Sequence, residues 1–198
     1  ALLISASFYF TSFSPGTALF IGLVLCALYY VATVTEVEKL AHFPSSMALT
    51  YFGAVYLCFM LNHIVWLRDR HDPLLIIYML AVIFVGDTGA MLVGRWLGKH
   101  KMTPLASPNK TWEGFIGGVG SSTLVGAALW WATPFEQPWQ SALLAMGAAM
   151  MGFAGGLTMS AIKRDRGVKD WGHLIEGHGG MLDRADSLVF AAPVFFHI

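Results

Sequence analysis

The chain has 198 residues, of which 56% are hydrophobic and only 12% charged, about half the charged share of an ordinary soluble domain. Basic and acidic side chains, twelve of each, cancel to a net charge of zero, and the mean hydropathy is +0.62. This composition argues against a soluble globule and for an all-α fold, a polytopic transmembrane helical bundle; the absence of a basic excess argues against nucleic acid as a partner.

A helix that crosses a bilayer needs about 20 mostly apolar residues. In chain order the predicted spans are 16–34, 44–67, 73–93, 115–132 and 140–162. Residues 1–13 read as the tail of an earlier span. The sequence opens at Ala1 inside an apolar run with no charged leader, so it looks like neither a signal peptide nor a natural start, and further N-terminal helices are expected outside it. Residues 185–198 open a last apolar run, short for a full crossing. No strand-like alternation competes with helices. Cys26 and Cys58 lie in apolar runs without CxxC spacing and read as small buried hydrophobes. His63, Trp130 and Trp131 fit interfacial anchoring. The glycines of residues 114–120 superficially resemble a nucleotide loop. They open an apolar span with no strand expected before it, so close helix packing is the preferred reading.

The connections alternate between two sides. Segments 35–43, 94–114 and 163–184 share one side and carry Lys39, Arg95, Lys99, Lys101, Lys110, Lys163, Arg164, Arg166, Lys169 and Arg184. Segments 68–72 and 133–139 share the other, with only Arg68 and Arg70. Short loops rich in Lys and Arg stay in the cytoplasm, so the first side is expected to be cytoplasmic. The two long polar connections then lie on one face, able to build a single site.

The densest polar stretch is 160–186, with five basic and five acidic residues. Ser160, Lys163, Arg164, Lys169 and Arg184 supply donors and positive charge, while Asp170, Asp183 and Asp186 supply hard oxygen atoms. Asp183 and Asp186 are three apart and share a face if helical. Carboxylates mixed with cations suit a magnesium–polyphosphate site, where the metal takes carboxylate and phosphate oxygens and Lys or Arg neutralise the rest. Gly177, Gly179 and Gly180 let backbone approach a bulky anion, and His178 between them is placed to donate to a phosphate or to position a nucleophile. The plain alternative is a charged loop held by salt bridges. Upstream, Ser107 followed by Pro108 reads as a helix start with a serine cap. Lys110 would then lie in the first turn, beside the free N–H groups that bind phosphate. Asp87, in Val85-Gly86-Asp87-Thr88-Gly89, is an ionisable group inside a span and a functional candidate on that ground.

These residues resemble the signature of the phosphatidate cytidylyltransferases, or CDP-diacylglycerol synthases. The pattern is Ser-x-x-Lys-Arg, four residues, Lys-Asp, then His-Gly-Gly-x-x-Asp-Arg-x-Asp. It is met by Ser160, Lys163-Arg164, Lys169-Asp170, His178-Gly179-Gly180, Asp183-Arg184 and Asp186. The upstream Asp87, Gly94-Arg95 and Ser107-Pro108-x-Lys110-Thr111 are also similar to the family's. The resemblance covers about residues 80–198. Departures are Glu176 for a usual Pro, Ala185 for a larger aliphatic residue, Gly156 where an acidic metal ligand is expected, and Met159 for a Glu. The chain is therefore identified as a divergent member, one membrane-embedded unit over 1–198 with the motifs in 80–198.

The resemblance implies an integral protein of the bacterial inner (plasma) membrane, with its active site on the cytoplasmic face. It implies transfer of CMP from CTP to phosphatidate with release of pyrophosphate, membrane lipid as surroundings, and Mg2+ as cofactor; an accompanying monovalent cation such as K+ and a homodimer stay open. Asp183 and Asp186, with Asp170 and Asp87, are the expected metal ligands. Asp183, Asp186, Lys169, Asp170 and His178 are the expected catalytic set. Ser107, Lys110, Thr111, Ser160, Lys163, Arg164 and Arg184 are expected to bind substrate. Other readings are a CTP-dependent lipid kinase of the dolichol or phytol kinase type, which would release CDP, a weakly active lipid- or nucleotide-binding relative, and a transporter that uses Asp87. The gathering of polar residues in two loops on one side disfavours the last.

Overall fold

The computed structural model describes residues 2–7, 14–34, 41–172 and 182–197. The chain divides into two compact units, Ala1–Trp66 and Leu67–Ile198.

The first unit holds α1 (Leu2–Ser7), α2 (Pro15–Thr33), α3 (Phe43–Gly53) and most of α4 (Leu61–Arg70), with a π-helical stretch, Ala54–Met60, joining α3 to α4. Helix α2 begins where Ser14, in extended conformation, accepts the Thr17 N–H through its side chain and Pro15 supplies the preset φ of the first turn. Its small core is Ile4, Ala18 and Cys58, with Leu19, Phe59 and Trp66 against them. His63, expected at an interface, is instead buried: Nδ1 lies 2.9 Å from the Phe59 carbonyl, and the ring meets Phe59 and Trp66 edge to face. That hydrogen bond and the aromatic packing satisfy the imidazole inside an apolar unit.

The second unit holds α5 (Leu74–Leu97), a hairpin of β1 (Lys101–Thr103) and β2 (Ser107–Thr111), α6 (Trp112–Ala128), a 3-10 turn (Trp130–Ala132), α7 (Pro138–Asp165) and α8 (Leu182–Phe196). Helices α5, α6, α7 and α8 pack in sequence, and α5 also meets α7 and α8. Their shared core includes Tyr78, Met79, Val82, Ala145, Ala148, Val189 and Phe195. Within it Tyr78 OH donates to the Ser141 carbonyl at 2.7 Å, and Ser122 Oγ to the Val82 carbonyl at 2.8 Å. The glycines of 114–120 do pack helices. A Cβ on Gly118 would come within 2.8 Å of Ala90 Cβ and 2.9 Å of the Gly86 carbonyl, so small residues set the α5–α6 spacing.

Among the described residues four helices are long and apolar enough to cross a membrane: Pro15–Thr33, Phe43–Asp69, Leu74–Leu97 and Pro138–Asp165. These are helices of an integral membrane protein. The expected span 115–132 is the 17-residue helix α6, shorter than those four.

The structure corrects the sequence reading between α5 and α6. Ser107 and Pro108 do not open a helix; they lie in β2, which pairs antiparallel with β1 in the register Lys101↔Thr111 and Thr103↔Ser107. The cap is Thr111, extended at φ −123°, whose hydroxyl accepts the Gly114 N–H at 3.1 Å. A two-stranded hairpin has free edges, where a proline without an N–H costs no ladder bond. Glu113 closes the hairpin: its carboxylate accepts the Lys99 and His100 N–H groups at 3.1 and 3.3 Å and pairs with His100 Nδ1 at 2.6 Å. Lys110 therefore stands on a strand just before the helix, not in its first turn.

Candidate active site

The hairpin, the end of α7 and the start of α8 meet at one end of the second unit. Arg164 Nε, late in α7, reaches the Ala106 carbonyl in the hairpin turn at 3.4 Å. Lys163 Nζ, its neighbour, pairs with Asp183 Oδ1 at 2.8 Å, in the first turn of α8. Asp183 Oδ2 accepts the Trp171 N–H at 2.8 Å, so this carboxylate also ties down the connection after α7. The pair is mostly shielded, with side chains 14% and 7% exposed.

One turn further along α8, Asp186 Oδ1 accepts the Ser187 N–H at 2.8 Å. Ser187 Oγ lies 3.4 Å from Asp186 Oδ1 and 3.4 Å from Asp87 Oδ1 on α5. Its one proton serves only one carboxylate at a time, so the hydroxyl marks two acidic side chains gathered around a common point. Gly156 on α7 faces the same point. A Cβ there would stand 3.0 Å from Lys110 Nζ, 3.7 Å from Asp186 Oδ2 and 3.8 Å from Ser187 Oγ. Lys110 Nζ lies 4.5 Å from the centre of the Phe153 ring, a cation–π contact. Burial pushes the Lys110 ammonium below its ordinary pKa, while the Asp186 and Asp87 carboxylates pull the other way.

A cavity of about 290 Å³ opens beside this cluster, lined by Asp87, Met91, Ser107, Asn109, Lys110, Phe115 and Phe153 among others. Ser107, Asn109 and Lys110 line its hairpin side, and Met91, Phe115 and Phe153, with the Asp87 carboxylate among them, line its helix side, which suits a ligand with a charged head on an apolar or aromatic body.

The structure thus brings together Asp87, Lys110, Lys163, Asp183 and Asp186, with Ser107 on the cavity wall. The Thr111 hydroxyl is taken up by its capping role and is buried. Ser160 Oγ donates to the Gly156 carbonyl of its own helix at 2.7 Å. Lys169 and Asp170 are exposed on the connection after α7. His178, its flanking glycines and Glu176 lie outside the described residues, as does the side chain of Arg184. Sequence reasoning missed Phe153, Ser187, Asn109 and the His100–Glu113 clasp. Ser187 directly follows Asp186, and Phe153 precedes Gly156 by one helical turn, but only the folded chain shows what each touches.

A magnesium ion is bound through one or two carboxylates, with substrate phosphates and water completing its shell. Asp87 and Asp186 fit that pattern, being two hard-oxygen donors around one point. Among the described residues no cluster of three or more His, Cys, Asp or Glu is poised to hold a metal. Asp183 has both oxygens in hydrogen bonds to Lys163 and Trp171.

A family model described as the cytidylyltransferase family matches residues 1–198. The Escherichia coli (strain K12) protein called Uncharacterized protein YnbB is 39% identical over 165 residues, 78% of this chain and 54% of its own length. A phosphatidate cytidylyltransferase of Staphylococcus haemolyticus is 39% identical over 150 residues, 75% of this chain and 55% of its own length. Another of that name from Synechocystis sp. is 44% identical over 137 residues, covering 67% and 46%. The chain spans about half the length of the curated relatives it matches.

Proposed function

Because the chain belongs to the cytidylyltransferase family, we propose that its protein makes CDP-diacylglycerol from CTP and phosphatidate, with release of pyrophosphate. The observation that carries this reading is the meeting of two carboxylates, Asp87 and Asp186, near Lys110 in the hairpin-side half of a set of apolar helices. A carboxylate pair near an ammonium suits a divalent ion with polyphosphate. A phosphate monoester has its second pKa near about 6, so the phosphatidate headgroup is already a nucleophile at neutral pH and needs no general base. One of its oxygens bonds to the α-phosphorus of CTP. The bond from that phosphorus to the bridging oxygen breaks, and pyrophosphate leaves with the electron pair. The chain's task is to position and neutralise. Lys110 and Lys163 hold phosphate oxygens, Ser107 and Asn109 border the cavity that receives the substrate, and Asp183 keeps Lys163 in place. Asp87 and Asp186 would hold magnesium, which when bound would neutralise charge on the phosphates and on the departing pyrophosphate. The Lys and Arg asymmetry supports a site facing the cytoplasm, where CTP is, in a bacterial inner membrane.

The test is product identification with the full-length protein in detergent, given CTP, phosphatidate and magnesium. Equal amounts of pyrophosphate and CDP-diacylglycerol are expected. Release of CDP with a newly phosphorylated lipid would replace this reading by the kinase one.

A further inference from the structure

Lys110 does more than line the cavity. Its ammonium and Asp186 Oδ2 lie around the point where a Gly156 side chain would begin, 3.0 and 3.7 Å from it. Asp87 joins the same cluster through Ser187 Oγ. Beneath the ammonium lies the face of Phe153, 4.5 Å away, on the same helix as Gly156 and three residues before it. One side of α7 therefore supplies an aromatic floor and a gap where a side chain would stand. Together they place the Lys110 ammonium in the neighbourhood of the Asp87–Asp186 cluster.

We propose that Lys110 is a resident counter-ion of the Asp87–Asp186 pair, so that a divalent cation and the Lys110 ammonium compete for those carboxylates. The proposal rests on the reading above only in taking that pair as the metal-binding carboxylates. Like charges crowded at a partly buried site repel strongly. A divalent ion arriving alone must bind beside the ammonium or drive it off. Polyphosphate offers the ammonium another partner, so nucleotide and divalent ion should each favour the other, a reciprocal coupling through one mobile side chain. Phe153 and Gly156 are positioning residues here: they act by holding Lys110.

The experiment is a titration of the full-length protein in detergent at pH 8 with Mn2+ alone, read by the loss of the free-ion paramagnetic resonance signal, then repeated with CTP. Lys110→Met keeps most of the side chain's length and removes its charge. It should bind Mn2+ about tenfold tighter than the unsubstituted protein without nucleotide, and it should lose most of the gain that CTP confers. Gly156→Ala guards against misfolding of that variant. Its Cβ crowds only the tip of Lys110, so it should tighten Mn2+ binding in the same direction by a smaller factor. The gain from Lys110→Met should vanish when Asp87→Asn and Asp186→Asn are also present. Mn2+ affinity unchanged or weakened in Lys110→Met overturns the proposal, as does a gain that survives loss of both carboxylates. The titration does not depend on turnover. A chain that shows this order of affinities but releases no pyrophosphate leaves the counter-ion role standing and removes the transferase reading, and the reverse pattern does the opposite.

Discussion

Asp183 serves Lys163 and the Trp171 N–H at once, and its side chain is only 7% exposed. Asp183→Asn keeps the shape and removes the charge, leaving a shielded ammonium without its ion-pair partner. Removing one member of such a pair strands the other, so a loss of about 1–3 kcal/mol in unfolding free energy is expected. Pyrophosphate release should fall to background. Adding Lys163→Met should recover much of the stability, since the stranded charge is gone, and none of the turnover. Thermal melting and the product assay on the same three proteins separate the two effects; a double variant no more stable than Asp183→Asn would show that the pair is not what holds this end together. The acidic and basic members of the cluster were legible in the sequence because charge is rare in an apolar chain. Phe153 was not, since an aromatic residue on a membrane helix reads as packing until a lysine from a distant strand is seen beside it, and Gly156, marked in the sequence as a missing acidic ligand, shows only in the fold that its gap faces Lys110.

The hairpin is the element that sequence patterning missed, and its strands explain why. They are three and five residues long, too short for alternation to show, and Pro108 argues against a strand. Its closure depends on Glu113. Hydrogen bonds from the His100 side chain, and then from backbone N–H groups, hold this carboxyl down at about 2, against an ordinary value of 4.5. A depressed carboxyl pKa stabilises the fold above the unfolded value and loses that contribution as pH falls through the folded one. The clasp should therefore hold above pH 4.5 and open between about 4.5 and 2, and Glu113→Gln should remove that dependence. Hydrogen exchange at the Lys99 and His100 amides reads it directly, and equal protection in both proteins across that window would sink it. The helices, by contrast, were legible in place, because hydropathy and length decide them, but less so in extent: α5 runs on to Leu97 and α6 stops at Ala128. Their spacing was legible too. Gly118→Val should clash with Ala90 and the Gly86 carbonyl and cost about 1–3 kcal/mol. Gly120→Ala meets open space and should stabilise by about 0.5–1 kcal/mol through helix propensity. A melt that ranks the two variants the other way round would refute close packing at α5–α6.

The second unit has two unlike ends. One carries the hairpin, the Lys163–Asp183 pair and the exposed connection with Lys169 and Asp170. At the other, His71, just before α5, meets Phe196, at the end of α8, edge to face with ring centres 6.2 Å apart. Helix α6 starts from the hairpin and α7 returns to it, so the short segment between them, with Glu136, belongs to the second end. Basic residues crowd the first end: Lys99, Lys101, Lys110, Lys163, Arg164, Arg166 and Lys169 are all there. Membrane insertion retains such clusters in the cytoplasm, and a site that uses CTP has to face the compartment that contains it. Orientation and chemistry thus make the same demand on one set of side chains, and a single topology experiment tests both. With Cys26, Cys58 and any cysteine of the full-length protein outside these residues replaced by Ala, Lys169→Cys should react with a membrane-impermeant maleimide only in inverted vesicles, and Glu136→Cys only in intact cells. The opposite labelling would put the carboxylate–lysine cluster outside, out of reach of cytosolic CTP. The cytidylyl-transfer reading would then fail, however well the residues match, because no nucleotide would reach the cluster of Asp87, Lys110 and Asp186 from the hairpin side.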